Sequence, residues 1–316
     1  MRLPTITILT PEELPITPGR SLDGPDKTIV SDIINAHGFV LFRGYDSASA
    51  EDFHAFIQCF DLPNFTYSES FSNAVRHNRT ARVFTANEAP PEVEIFLHHE
   101  MAQTLSFPGQ LFFFCEHAAD SGGATPICRS DLALNILEAN HPAFTAKLRK
   151  LGVRYRNSMP ENADLASGQG RSWRHTLNVA SIAEAERRLT SLGYEYRWLR
   201  DGGLSVQTPI LPAIDDFGRG REVFFNQIVA AAAGWANAVD DDEPRLCFGD
   251  QTRIESADLE AAIAASYQCT VDLEWQRGDV ALLDNLRVMH GRRPFTGSRS
   301  ILASLCSPIS RSAKVI

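Results

Sequence analysis

Two histidines and a glutamate stand within three positions of each other in Leu97-His98-His99-Glu100-Met101. On a strand, residues i and i+2 share a face, so His98 and Glu100 would present an imidazole and a carboxylate side by side. His99 would then point the other way. A third ligand from elsewhere would complete a metal site, and His290, in Met289-His-Gly-Arg-Arg-Pro294 beyond the apolar run Val280–Asp284, is the best candidate. Two histidines and one carboxylate on a single face leave three coordination positions open, an arrangement suited to Fe(II) and oxygen chemistry. A His-x-Glu triplet alone is met equally by a partly exposed histidine beside an ion-paired glutamate. The other histidines (His37, His54, His77, His117, His141 and His175) stand singly on expected helices, turns or loops.

The elements that must position these residues are mostly strands, with helices before and between them. Residues 28–36 have helical apolar spacing ended by His37-Gly38, and Phe39–Arg43 follows as a short buried strand. Ser49 and Glu51 open a second helix over residues 49–60. Strand patterns then cover residues 94–101 and 111–118, up to a Gly122-Gly123 turn. Helices are expected at 131–139, 142–151, 181–193 and 257–267, the third opened by a Ser181/Glu184 capping box and closed by Gly193. The chain returns to strands at 270–275, 280–284 and 300–305. The stretch Asn157–Trp173 is long, polar and glycine-containing, as lids and insertions are. The pattern implies one β-barrel or sandwich decorated with helices. No G-x-G-x-x-G or G-x-x-x-x-G-K-[ST] follows a strand, which argues against a nucleotide-binding parallel sheet.

The 316 residues carry a formal charge of −9 and are 44 % hydrophobic, ordinary for a globular chain. The acidic balance argues against nucleic-acid binding, which needs concentrated Lys and Arg. The longest apolar runs, such as Gln110–Cys115, have strand length, far short of a membrane span. No signal-peptide pattern opens the chain, so a cytoplasmic location is expected. The six cysteines are scattered with no C-x-x-C pair, so neither a disulfide framework nor a cysteine zinc site is expected. Asp240–Glu243 reads as a solvated loop, lacking the spacing of a calcium-binding loop.

Five stretches together resemble the taurine dioxygenase superfamily of Fe(II)- and 2-oxoglutarate-dependent oxygenases, in its clavaminate-synthase-like, syringomycin-hydroxylase-like branch. They are His37–Gly44 (HGFVLFRG), Leu97–Met101 (LHHEM), Phe112–Ile127 (FFFCEHAADSGGATPI), Phe224–Gln227 (FFNQ) and Trp275–Phe295 (WQRGDVALLDNLRVMHGRRPF), in the family's order. The resemblance implies an α+β fold: a double-stranded β-helix (jelly-roll) core with flanking helices and a helical or loop insertion. It implies one domain over residues 1–316, with 157–205 as the lid or insertion. It also implies Fe(II), 2-oxoglutarate and O2 as cofactors, His98, Glu100 and His290 as iron ligands, Thr125 as a co-substrate contact, and Arg299 as the partner of its distal carboxylate. Arg293 and Arg292 remain alternatives to Arg299, because Ser300 stands where relatives often carry a second arginine. A planar guanidinium suits a carboxylate by bidentate pairing.

Departures from the family narrow the chemistry. Glu100 stands where many relatives have Asp, and its presence speaks against halogenases, which leave that position small. Ser304 aligns, without gaps, with the arginine that binds sulfonate in taurine dioxygenase, so taurine is a poor substrate. The expected reaction is hydroxylation of a small molecule, an amino acid or a derived biosynthetic intermediate, free or tethered to a carrier protein. Desaturation, epoxidation or ring closure use the same cofactors. From another class, a metal-binding isomerase or a non-catalytic binding module would use the same barrel. Asn157, Arg171 and Arg174, near the mouth, are the substrate candidates, with Asn226 from the matched Phe-Phe-Asn-Gln motif. Arg292, Arg293, Arg311 and Lys314 would form a basic patch for a carrier.

Overall fold

Along the strand Ser106–His117, Leu111, Phe113 and Cys115 alternate with Phe112 and Phe114, and every one of them is buried. A strand apolar on both faces must lie inside a sheet covered on both sides. In this computed structural model, which describes residues 4–66, 76–86, 89–163, 171–234 and 244–314, it does. The order of that six-stranded sheet is Ile8–Leu9, Phe39–Phe42, Val280–Asp284, Ser106–His117, Ser300–Ser310 and Phe84–Thr85.

One face of this sheet packs on the helices Gly24–His37 and Ala50–Gln58. Val30, Ile34, Phe53 and Phe56 meet Val40, Phe42, Phe112, Phe114 and Leu282 there. Ser49 caps the second helix through a reciprocal box with Asp52, the third helical position, while Glu51 lies in the same first turn. The other face joins Leu111, Phe113, Ala281, Ile301 and Ala303 to Ile127, Val288 and Leu273 of a four-stranded antiparallel sheet. That second sheet runs Thr270–Leu273, Thr125–Arg129, Val288–Arg292, Ile95–His98. Its outer side is covered by the helices Ser130–Asn140, Pro142–Leu151, Ile228–Gly234 and Ser256–Gln268. The layering is α+β: helices, mixed sheet, antiparallel sheet, helices.

A third sheet consists of Leu246–Phe248, Val153–Met159, Leu204–Gln207 and Glu195–Trp198. Residues 157–173 are not the uninterrupted irregular stretch that their polarity suggests. Asn157–Met159 continue a strand paired with Leu204–Val206, and Trp173 opens the short helix Trp173–Leu177. Backbone pairing and a small apolar cluster of Met159, Trp173, Leu177, Leu189, Tyr194 and Leu204 hold the described ends of the stretch, 157–163 and 171–173. Asp240–Glu243 lies outside the described residues. No helix of the described residues is long and apolar enough to cross a membrane.

Candidate metal centre

His290 and His98 are directly opposed on neighbouring antiparallel strands, Val288–Arg292 and Ile95–His98. The ladder shifts register between His290 and Arg292, and Gly291 makes that possible: a Cβ there would lie 2.3 Å from the Ile95 carbonyl oxygen. The two imidazoles face each other with ring centroids 4.4 Å apart. Glu100 reaches them by a different route from the one expected. The strand ends at His98, and Glu100 sits in a turn with Met101 at φ +60°. Asn285 fixes that turn, accepting from the Glu100 N–H (2.7 Å) and donating to the carbonyls of Glu100 (3.0 Å) and Pro108 (2.7 Å). His99 points away, its Nδ1 2.5 Å from the Asn285 carbonyl and its ring against Phe225.

The ligand atoms of His98, Glu100 and His290 lie within 4.8 Å of one another. Nε2 of His98 and of His290 are 3.9 and 3.7 Å from Glu100 Oε2, too far for hydrogen bonds and spaced to share a central ion about 2 Å from each. Donation from His98 Nδ1 to the Phe96 carbonyl, at 2.8 Å, leaves Nε2 with a free lone pair aimed at the centre. Burial and the neighbouring His290 hold His98 down at about 4, so it is the neutral, ligating form near pH 7. Burial alone would raise Glu100, but contact with His290 and the charges of Arg76 and His98 outweigh it, leaving the carboxyl at about 2. The neutral His98 imidazole and the ionised Glu100 carboxylate suit a divalent iron.

The three ligands open onto a cavity lined also by Thr125, Arg299, Arg292 and Arg76 and walled by Phe84, Ile95, Phe113, Ile301, Ala303 and Leu305. Gly122 and Gly123 turn with positive φ, and a Cβ on Gly123 would crowd the Arg299 side chain at 3.0 Å. Arg299 Nε donates to the Gly123 carbonyl (3.0 Å), and among the described residues no carboxylate pairs with this guanidinium. Burial and the neighbouring Arg292 lower it to about 10, leaving it charged at neutral pH. The two alternatives are engaged differently. Arg292 donates to the carbonyls of Ala89, Pro90 and Val93, while Arg293 pairs with Asp272 and Glu94 away from the cavity lining.

Residues 5–305 match the family described as taurine catabolism dioxygenase TauD, TfdA. The chain belongs to the TauD/TfdA family. It is 38 % identical over 281 residues to a clavaminate synthase-like protein of Arabidopsis thaliana, covering 89 % of this chain and 84 % of that protein. The dapdiamide synthesis protein DdaC of Enterobacter agglomerans is 27 % identical over 298 residues, covering 90 % and 87 %. Among solved structures, PvcB of Pseudomonas aeruginosa, described as an Fe, alpha-ketoglutarate dependent oxygenase from an isonitrile synthetic pathway, is similar in fold. Its TM-score is 0.51 at 15 % identity, covering 96 % of this chain and 86 % of that one. This TauD/TfdA protein is an Fe(II)- and 2-oxoglutarate-dependent dioxygenase, an oxidoreductase that uses O2.

Other residues singled out in this TauD/TfdA chain lie elsewhere. None of Asn157, Arg171, Arg174 and Asn226 lines the cavity. Asn157 pairs with Val206 in the third sheet, and Arg171 donates to the His175 carbonyl. Arg174 stacks on Trp173 and pairs with Glu161. Asn226 is buried, its amide donating to the Ala213 carbonyl and accepting from the Ile228 N–H. Ser304 pairs with Phe112 across the ladder and does not line the cavity, because alternation gives the cavity face to Arg299, Ile301, Ala303 and Leu305. The exposed basic patch does not form: Arg292 is 4 % exposed, and Arg311 folds over the Phe107 and Phe225 rings onto the Ala102 and Pro212 carbonyls. Sequence reasoning missed Arg76, with Nη2 3.8 Å from Glu100 Oε1, and the Asn285 clamp. The Asp-Asn of the matched Trp275–Phe295 block was the available signal for the clamp.

Proposed function

We propose that this dioxygenase hydroxylates an unactivated C–H bond of a small molecule, an amino acid or an amino-acid-derived biosynthetic intermediate, releasing succinate and CO2. The observation that carries the reading is the convergence of His98, Glu100, His290, Thr125 and Arg299 on one cavity. His98, Glu100 and His290 would hold the iron, with Asn285 keeping the Glu100 backbone in register. Arg299 and Thr125 would bind the distal carboxylate of 2-oxoglutarate, the guanidinium by a charge-assisted pair and the hydroxyl by one further donor. When bound, iron and 2-oxoglutarate supply the oxygen activation and the oxidising power. The apolar wall of Phe84, Ile95, Phe113, Ile301, Ala303 and Leu305 keeps water from the reacting carbon.

In this reading the two facing sheets are the halves of a double-stranded β-helix within a single domain, and residues 157–205 form its insertion. The choice of a biosynthetic amino-acid substrate, free or carrier-bound, draws on DdaC, a relative named for dapdiamide synthesis. Arg76 is the cation on the Glu100 side of the cavity and a better candidate substrate contact than Arg171 or Arg174. The test is substrate-dependent succinate release coupled to oxygen uptake, screened over amino acids and carrier-bound aminoacyl groups. A hydroxylated product supports the proposal; a desaturated, epoxidised or cyclised product replaces the outcome but keeps the site. Failure of the iron-loaded protein to make succinate from 2-oxoglutarate would sink it.

A further inference from the structure

The Thr125 hydroxyl is held from behind. Nε1 of Trp275 donates to Thr125 Oγ1 at 2.9 Å, joining residues 150 positions apart. A threonine hydroxyl has one proton to donate and two lone pairs to accept with, whereas an indole N–H only donates. With the indole on one lone pair, the hydroxyl proton must point elsewhere. Thr125 is 5 % exposed and lines the cavity beside Arg299, and among the described residues nothing accepts its proton. The contact is therefore the first half of a relay, N–H to O–H, whose second acceptor the described protein does not supply.

The indole has its own anchor. Trp275 opens the turn Gln276-Arg277-Gly278-Asp279, in which Asp279, 1 % exposed, accepts from the Gln276 N–H at 2.8 Å. Arg43 grips both carboxylate oxygens of Asp279, at 2.9 and 2.7 Å, and donates to the Glu274 carbonyl at 3.2 Å. Arg43 extends from the strand Phe39–Phe42, which pairs with Val280–Leu283 just past the turn. The backbone on both sides of Trp275 is thus pinned to the six-stranded sheet, while its ring reaches Thr125 on the opposite sheet.

We propose that Trp275 is a positioning residue for the co-substrate: its N–H sets the Thr125 hydroxyl so that the proton points at the distal carboxylate of 2-oxoglutarate. The inference rests on the assignment of Thr125 and Arg299 made above. A hydroxyl that is itself accepting a hydrogen bond is polarised into a better donor, so the two contacts reinforce one another. Trp275 is not among the residues lining the cavity, so it would act through Thr125.

The test is a double-mutant cycle on 2-oxoglutarate affinity, measured by calorimetry on the Mn(II)-loaded protein. Thr125→Val removes the charge-assisted hydrogen bond and should weaken binding about tenfold or more. Trp275→Phe keeps an aromatic ring without the N–H and should weaken it by about threefold to tenfold, because the hydroxyl rotor is released rather than lost. The double variant should bind like Thr125→Val alone, and Mn(II) affinity should not change in any of the three. If Trp275→Phe fails to fold, incorporating β-(3-benzothienyl)alanine at 275 keeps the bicycle and replaces only N–H by sulfur, with the same expectation. Equal losses from the Trp275 change with and without the Thr125 hydroxyl, or no loss with it, would overturn the inference. If Thr125→Val and Arg299→Gln both leave affinity unchanged, the co-substrate assignment itself fails. A loss at those two with none at Trp275 refutes only the positioning role.

Discussion

Two arginine-rich regions of this protein start from similar materials and end differently. Where the strand Thr125–Arg129 runs into the helix Ser130–Asn140, Arg129, Arg287 and Arg221 converge on the single carboxylate of Asp131, with Arg129 gripping both oxygens at 2.7 and 2.6 Å. Two of these guanidiniums also reach the carbonyls of Asn35 and Ala36 in the last turn of the helix Gly24–His37, where its dipole favours cations. Every role there is filled by the protein. In the cavity, Arg292 is likewise tied to three carbonyls, but Arg299 gives only its Nε to the chain. Arg129 and Arg287 are largely enclosed, as Arg292 is, whereas Arg221 reaches Asp131 from an exposed position. What separates Arg299 from the others is that no described residue takes its terminal N–H groups, whereas those of Arg129, Arg287 and Arg292 are met by a carboxylate or by carbonyls.

The comparison can be broken hardest at the metal. His98→Ala or His290→Ala should reduce bound Fe(II) from one per chain to none and abolish turnover while the protein stays folded; metal analysis and circular dichroism check this. His99→Ala should retain the metal, since its ring faces Phe225. Next, Arg299→Gln should weaken 2-oxoglutarate binding on the order of 10² to 10³-fold, the equivalent of roughly 3–5 kcal/mol for stripping one partner from a buried ion pair. Its melting temperature without co-substrate should be unchanged or higher, because no internal pair is lost. Adding 2-oxoglutarate with Mn(II) should raise the melting temperature of the native protein and not of this variant.

Asp131→Asn should do the reverse: destabilise by about 3 kcal/mol by leaving buried guanidiniums without their anion, with 2-oxoglutarate affinity intact. Burial pushes the Asp131 carboxyl up, but Arg129 and Arg287 outweigh it and hold it below the usual range. A depressed folded pKa gives stability that is present above the unfolded value of about 4 and lost as pH falls through the folded one. The gap between native and Asp131→Asn in urea unfolding should therefore be constant from about pH 7 to 5 and close below about pH 4. The smallest effect is expected at Arg293→Gln: its pairs with Asp272 and Glu94 are partly exposed, so stability should change by under about 1 kcal/mol and co-substrate binding not at all.

Much of the framework was legible from local signals. The Ser181/Glu184 box and the apolar spacing that ends at His37-Gly38 are side-chain-to-backbone events within a few residues, and both helices form where those signals lie. The strands Thr125–Arg129 and Val288–Arg292 escaped notice because polar Thr125, Arg129, His290 and Arg292 interrupt their apolar residues, leaving neither the apolar run that marked Val280–Asp284 nor a one-sided alternation. The substrate candidates named from the sequence do not line the cavity. Arg171, Arg174 and Asn157 are polar residues in a polar stretch, and polarity does not say which atoms a cavity will collect. Ser304 falls outside the cavity by simple alternation: Arg299, Ile301, Ala303 and Leu305 share the cavity face, and Ser304 takes the other.

By itself, the sequence determined the chemistry on offer: two imidazoles and a carboxylate at His98, Glu100 and His290, a guanidinium nine residues beyond the last, and strands able to carry them. A spacing of two kept His98 and Glu100 close in space, but the strand ends at His98, so the turn held by Asn285 rather than strand alternation brings the carboxylate to the imidazole. Only the tertiary structure decided that His290 stands opposite His98, that Asn285 holds Glu100 from 185 positions away, and that Trp275 meets Thr125. It also decided that Arg299, and not Arg292 or Arg293, keeps terminal donors for a ligand. These outcomes depend on which long-range partners consume which hydrogen bonds, and that allocation exists only once both sheets have closed on a shared core.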